Sequence, residues 1–442
     1  MSDWSVCRVL TINLAMAGLQ FCFACFCVLN NPFLHELKIS ATITAAISVI
    51  GPVCGFFVQP IIGYLSDRSL NKMGRRRPFL IFGAVATSIS IIWMGMSAKI
   101  AGFFFRVGSD NYFTFAQVWA VFGVIFCNTF INVELAAFRS LIADCVPPEA
   151  QNKGAAYSGF MMGGSFLLCN VIMLVMYELN NDIKYADIYP IISCIAASTT
   201  LLLAIPSLII AKEQPYDVSA VFASENAFKQ LYREFKNMNK IFYAVMMPLL
   251  LGWIGYTPLQ QFTGTIFSMD TTFIAQICLN GVTTVIAPVF GQFIGILGEK
   301  LIFFICSCIY ILASALLILS GYFPTSFIGS QWFVSLCMAL IGFVNCAMNT
   351  IPFIYVGKLA PAQSKGLYSG IFNSVIVIGQ AIANIILTIV NLIVDSKKNP
   401  IWIAGVFSVI TTISTLFLID SSKCFSDKLI EETEAIAGRE EI

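Results

Sequence analysis

What this 442-residue chain lacks narrows it quickly. It has one histidine, His35, too few for a histidine metal cluster, and a lone histidine at the end of an apolar run reads as structural. Charged residues make up only 11% of the chain. The 25 Lys and Arg nearly cancel the 24 Asp and Glu, leaving +1, which argues against nucleic acid as a partner. There is no nucleophile motif, no metal-ligand spacing and no phosphate-cradling glycine loop, so neither an enzyme nor a cofactor is expected. Cysteine is plentiful at 15, but scattered through apolar runs. Cys22, Cys25 and Cys27 include a CxxC, yet they sit on an apolar stretch without carboxylate or histidine neighbours. They read as small buried hydrophobes rather than a metal site or disulfide framework.

What is present is apolar: 58% hydrophobic residues and a mean hydropathy of +0.83. A membrane helix needs about 20 predominantly apolar residues. Twelve such spans are predicted, at 9–33, 41–65, 78–99, 113–139, 154–177, 187–211, 241–264, 271–297, 301–321, 330–356, 366–394 and 400–420. The first is too long for a cleavable signal peptide and lacks its small-residue cleavage motif, so it is expected to stay as the first helix. An even number of spans puts both termini on one side. With the termini inside, nineteen Lys and Arg fall on the inner side and six outside, the bias of a cytoplasmic face. The chain thus divides into a half at 1–211, a cytoplasmic linker at 212–240, a half at 241–420 and a polar tail at 421–442. In the linker, Ser224 suits a helix cap, with Phe228, Leu231, Tyr232 and Phe235 on one face and Lys229, Arg233 and Lys236 on the other. Such a helix would lie on the inner membrane surface or serve as a solvated connector.

The most charged inner loop is Gly63–Pro78, GYLSDRSLNKMGRRRP. Asp67 and Arg68 come where the second span ends, Gly74 supplies a turn, Arg75, Arg76 and Arg77 form a basic triplet, and Pro78 suits the first turn of the next helix. The motif recurs. Gly295-Ile296-Leu297-Gly298-Glu299-Lys300 matches Gly63 to Arg68 in character, and PPEAQNKGAAYSG (147–159) is echoed by APAQSKGLYSG (360–370). A duplicated six-helix half accounts for both pairs. Asp67, Arg68, Arg75, Arg76, Arg77, Asp144, Glu299 and Lys300 are assigned to a gate of ion pairs between the two halves at the inner surface, with Gly63 and Gly74 as its turn residues.

Polar residues inside spans are costly and normally face a cavity or a partner. Glu134 is the clearest carboxylate deep in a span, on a stretch that also carries Asn128 and Asn132 and ends in Arg139 and Asp144. Amides recur elsewhere: Gln20 in the first span, Gln260 and Gln261 beside Trp253 and Tyr256 in the seventh, Asn345 and Asn349 in the tenth, Asn373, Gln380 and Asn384 in the eleventh. Each could equally serve as an interhelical hydrogen bond.

The G-x-L-x-D-R-x(5)-G-R-R-R loop resembles the loop between helices 2 and 3 of the major facilitator superfamily. GPVCGFFVQPIIGYLSDR (51–68), GRRRPFLIFGA (74–84), FRSLIADCVP (138–147), GWIGY (252–256) and GIFNSVIVIGQ (370–380) further resemble the sucrose transporters among the glycoside-pentoside-hexuronide:cation symporters. The resemblance implies an all-α membrane protein of twelve transmembrane helices in two six-helix pseudo-repeats. It also implies that helices 1, 4, 7 and 10 line a central cavity. There, Gln20, Asn132, Trp253, Tyr256, Gln260, Gln261, Asn345 and Asn349, with Asn373 and Gln380 nearby, would suit a neutral polyhydroxyl ligand, because amides both donate and accept hydrogen bonds and an aromatic face packs on a sugar ring.

Arg139 matches the family's helix-4 arginine, associated with substrate and proton coupling. The family's acid eleven residues earlier is Asn128 here, which cannot titrate. Glu134 could stand in, although it lies about 240° further around the helix at about 100° per residue. The expected function is secondary transport of a sugar (a di- or oligosaccharide or glycoside) by alternating access, as proton symport or as uncoupled facilitation. A membrane scaffold or sensor that does not transport is the rival. Expected partners are the sugar, protons and membrane lipid, in a plasma or internal membrane; oligomeric state is left open.

Overall fold

Nearly the whole computed structural model is helical; it describes residues 5–67, 69–146, 151–179, 184–213, 227–323, 330–360, 365–394 and 396–421. Twelve long helices follow in order. The first half holds α1 Leu14–Glu36, α2 Ile50–Asp67, α3 Arg77–Gly95, α4 Asp110–Cys145, α5 Gln151–Leu179 and α6 Tyr185–Ile210. The second holds α7 Lys240–Ile266, α8 Met269–Leu297, α9 Glu299–Ser320, α10 Gln331–Leu359, α11 Lys365–Ile393 and α12 Asn399–Thr415. Eleven stretches are long and apolar enough to cross a membrane, the second running from Thr42 in a short helix, Ala41–Ser48, into α2. The twelfth is shorter than the predicted 400–420: it has 17 residues, and the chain turns at Leu416 and Phe417, bringing Asp420 to the first turn of α9. A short helix, Ala227–Lys236, stands in the linker with Tyr232 and Phe235 exposed. Ser224, Arg68 and the tail 422–442 lie outside the described residues, as does the side chain of Asp67, the last residue of α2.

Local chemistry explains the helix starts. Ser109 Oγ accepts from the Tyr112 N–H at 3.2 Å to cap α4, Ser330 Oγ from Phe333 at 3.3 Å to cap α10, and Asn239 Oδ1 from Ile241 at 3.1 Å to cap α7. Pro78 and Pro400 occupy first turns, where no backbone N–H is required. Inside the spans, hydroxyls donate to carbonyls one turn back, as Thr200 does to Ala196 at 2.9 Å and Ser307 to Phe303 at 2.8 Å, which satisfies these buried groups within their own helices.

Packing yields two cores. One joins buried side chains from Ile12 to Ala211, with Phe273 of α8 added; the other runs from Met238 to Leu418. Large apolar residues such as Phe82 and Ile89 of α3 and Leu392 of α11 stay exposed, as lipid-facing surfaces require. The two halves meet along α5–α8, α2–α11 and α1–α7. Small residues set the closest approach: a Cβ on Gly163 would lie 2.7 Å from Thr284 Oγ1, and one on Gly55 2.8 Å from Val377 Cγ1.

Candidate functional site

A cavity of about 130 Å³ lies between the halves, walled by α1, α2, α4, α7, α10 and α11 with Met162 of α5. Of the residues predicted for it, Gln20, Asn132, Trp253, Gln260, Gln261, Asn349, Asn373 and Gln380 line it, as do Asn128 and Arg139, which were assigned to coupling. Gln59 of α2, which the sequence reading did not single out, joins its walls. Its Nε2 donates to Asn132 Oδ1 at 2.6 Å and its Oε1 accepts from Asn373 Nδ2 at 2.6 Å. Asn373 Oδ1 in turn accepts from the Arg139 guanidinium, so α2 and α4 of one half are tied to α11 of the other. Arg139 also lies over the Phe353 ring at 5.3 Å, and among the described residues no carboxylate pairs with it.

A second set of amides is hydrogen-bonded elsewhere along the interface, with Asn30, Asn31 and Gln261 in the cavity wall. Asn31 Nδ2 donates to the Gln261 carbonyl at 3.1 Å, Asn30 Nδ2 to Asn31 Oδ1 at 3.1 Å, and Asn384 Nδ2 to the Ser48 carbonyl at 3.3 Å. Several polar groups remain unspent. Trp253 Nε1–H, Asn30 Oδ1 and Gln261 Oε1 are buried without a hydrogen-bond partner. Gln20 Nε2 reaches only the Met16 sulfur at 3.8 Å. A buried polar group without a partner costs free energy, so these donors and acceptors from both halves are suited to a ligand that brings matching groups.

Three predicted residues stand elsewhere. Tyr256 is buried in the core of the second half, edge-on to Trp253 at 5.4 Å, because three residues along a helix carry it past the cavity wall. Asn345 faces α8, donating to Thr283 at 3.2 Å and accepting from Asn349 at 2.9 Å. Glu134 points away from the cavity toward α3. Gly83 presses on its backbone, where a Cβ would come within 2.7 Å, and Thr87 faces it without completing a hydrogen bond to either oxygen.

At the end of the bundle that the Lys and Arg bias assigns to the inside, the Gly74 turn has φ +110°, a conformation that favours glycine. It lets Glu213, just past α6, accept from the N–H groups of Arg75 at 2.7 Å, Arg76 at 3.0 Å and Arg77 at 3.1 Å, capping α3. Asp144 at the end of α4 binds Arg75 at 2.7 Å and Arg76 at 2.9 Å, while Arg76 also reaches Ser66 Oγ and the Gly63 carbonyl. The second half repeats the cap. Gly298 has φ +84°, and Asp420, just past α12, accepts from the Lys300 N–H at 2.9 Å. Glu299 pairs with Lys358 at 2.8 Å and accepts from Ser421 Oγ at 2.5 Å. This corrects the predicted register. Only Gly298 separates α8 from α9, so Glu299 and Lys300 stand in the first turn of α9, as Arg75 and Arg76 stand at the start of α3, and not at a helix end like Asp67. Glu213 and Asp420 were not foreseen; their partners are backbone N–H groups distant in sequence.

A family model described as Major Facilitator Superfamily matches residues 12–384. The chain belongs to this superfamily. Among curated proteins it is similar to the general alpha-glucoside permease of Schizosaccharomyces pombe, 26% identical over 238 residues covering 53% of this chain and 40% of the permease. It is 27% identical to the sucrose transport protein SUC4 of Arabidopsis thaliana over 329 residues, 66% of this chain and 62% of that protein. The chain thus spans about half the length of these relatives. Among solved structures, a D-xylose-proton symporter superposes with a TM-score of 0.65 at 18% identity, covering 94% of this chain and 99% of that one. Membership of the superfamily makes the protein an integral multi-pass membrane protein of twelve spans, with α12 as the short one.

Proposed function

We propose that this superfamily member carries a sugar or glycoside across the membrane by alternating access. One observation carries the reading: the cavity between the halves holds an amide ladder, an arginine, and unpartnered donors and acceptors from both sides of the interface. A polyhydroxyl ligand satisfies such a wall, since every hydroxyl both donates and accepts. The relatives named for sucrose and alpha-glucosides point to the same chemical class. Uncoupled facilitation is the first mechanism, because no carboxylate lines the cavity among the described residues and Asn128 cannot load a proton. Proton symport is the second, favoured by Glu134. A carboxylate fully buried in a span without a hydrogen bond is the kind of intramembrane acid usually retained for function.

Uptake of labelled sucrose, maltose and aryl glucosides into proteoliposomes, with and without an imposed pH gradient, tests both. Uptake that equilibrates and ignores the gradient is expected. Accumulation driven by the gradient and abolished in Glu134→Gln would transfer the assignment to symport through Glu134. In the uncoupled carrier, Asn128→Asp introduces the missing acid and is expected to create a pH dependence.

A further inference from the structure

A second cavity, separate from the first, opens on the face that the Lys and Arg bias assigns to the cytoplasm. It has a volume of about 560 Å³ and lies between the Ser69–Arg77 loop and the residues just past α6. Three cations converge on it with no carboxylate partner among the described residues: Lys72 and Lys212, both exposed, and Arg77, whose Nε–H is buried and finds no acceptor. The one carboxylate in the wall, Glu213, is already engaged by the backbone N–H groups of Arg75, Arg76 and Arg77. The cavity therefore offers an uncompensated positive charge, a buried donor and room for a ligand. Beside it, Leu70 and Met73 are exposed, although they sit on a loop at the membrane boundary.

We propose that this cavity binds a phosphate-bearing group. Phosphate oxygens match both the guanidinium fork and the lysine ammonium groups, and a multiply phosphorylated head group can engage all three cations at once. A topogenic excess of Lys and Arg explains cations on this face. It does not explain a buried, unpaired guanidinium nitrogen in the wall of a cavity. Two sources share the chemistry: a phosphorylated inositol lipid in the inner leaflet, and a soluble phosphate ester. Leu70 and Met73 favour the lipid, because their side chains can enter the acyl boundary while the head group sits among the cations. Occupancy would rest on the Gly74 turn that Glu213 holds against α3, so bound ligand would bias the inner gate. The site stands whether or not the solute is a sugar.

The test uses the full-length protein in phosphatidylcholine nanodiscs, measuring binding of phosphatidylinositol bisphosphate, phosphatidylserine at matched total charge, and soluble inositol trisphosphate. Lys72→Gln and Lys212→Gln remove exposed groups and leave the fold alone; each is expected to weaken binding of the bisphosphate lipid by about fivefold, the effect of one basic residue near an anionic membrane surface. Arg77→Gln is expected to weaken it at least as much. The triple variant Lys229→Gln, Arg233→Gln, Lys236→Gln on the linker helix removes as much charge elsewhere and is expected to change it little. Equal tightness for inositol trisphosphate would keep the phosphate site and make its ligand soluble. Phosphatidylserine binding as tightly at matched charge, or the linker triple losing as much as the cavity variants, would overturn the proposal.

Discussion

The inner ends of the two halves use one device with opposite charges around it. In each, a glycine of positive φ starts the third helix, and a carboxylate just past the sixth helix caps it: Gly74 with Glu213, Gly298 with Asp420. Around the cap, the first half sets Arg75 and Arg76 against Asp144, whereas the second sets Glu299 against Lys358. The cap depends on backbone geometry and has kept its chemistry across both halves. The ion pair depends only on opposite signs and has exchanged them. The carboxylates differ in burial, and the cations differ the other way, Arg76 at 7% exposed and Lys358 at 38%. The Asp144 side chain is 23% exposed, and that of Glu299 only 3%.

The largest effect is expected at the glycines. Gly298 has ψ 158° with its positive φ, a region left almost entirely to glycine, so Gly298→Val should cost about 1–3 kcal/mol of stability. Gly74→Val should follow it; a Cβ crowds the capping carboxylate at both turns, at 2.6 Å from Glu213 and 2.7 Å from Asp420. Thermal unfolding in detergent checks both; a neutral Gly298→Val would break the equivalence of the two turns. Next comes Glu299→Gln. It removes the charge from a buried carboxylate that Lys358 and Ser421 both bind, although Lys358 itself is 38% exposed, for a loss of about 1–2 kcal/mol. Glu213→Gln and Asp420→Asn should each cost about 0.5–1 kcal/mol, by weakening a charge at a helix start, and by similar amounts in the two halves. Asp144→Asn should be smallest, under about 1 kcal/mol, since its pair is part-exposed and its arginines keep other partners. Asp144→Asn proving costlier than Glu299→Gln would reverse the contrast.

These inner ends also mark where sequence reading succeeds and stops. The twelve spans, the Gly63–Pro78 loop and its partial repeat were legible, because apolar length and turn residues are local signals. Most cavity amides were legible too, since an amide in a span needs either a partner or a ligand. Gln59 was not. It sits within an apolar run beside a recurring motif, and only the packing of α2 against α4 and α11 gives it a role. Tyr256 and Asn345 were read as cavity residues from helix membership alone, which does not fix the face. For Glu134 the angular offset from Asn128 already pointed away from the cavity, and its contact with Gly83 and Thr87 of α3 agrees.

The central claim is that the halves part and rejoin around the cavity, and a cross-link across their interface tests it most directly. The short helix Ala41–Ser48, which leads into α2, meets α11 where Asn384 donates to the Ser48 carbonyl. A Ser48→Cys, Asn384→Cys pair, oxidised to a disulfide in proteoliposomes, should abolish solute exchange and regain it on reduction, while each single variant stays active. Full exchange with the disulfide formed would contradict alternating access through this cavity.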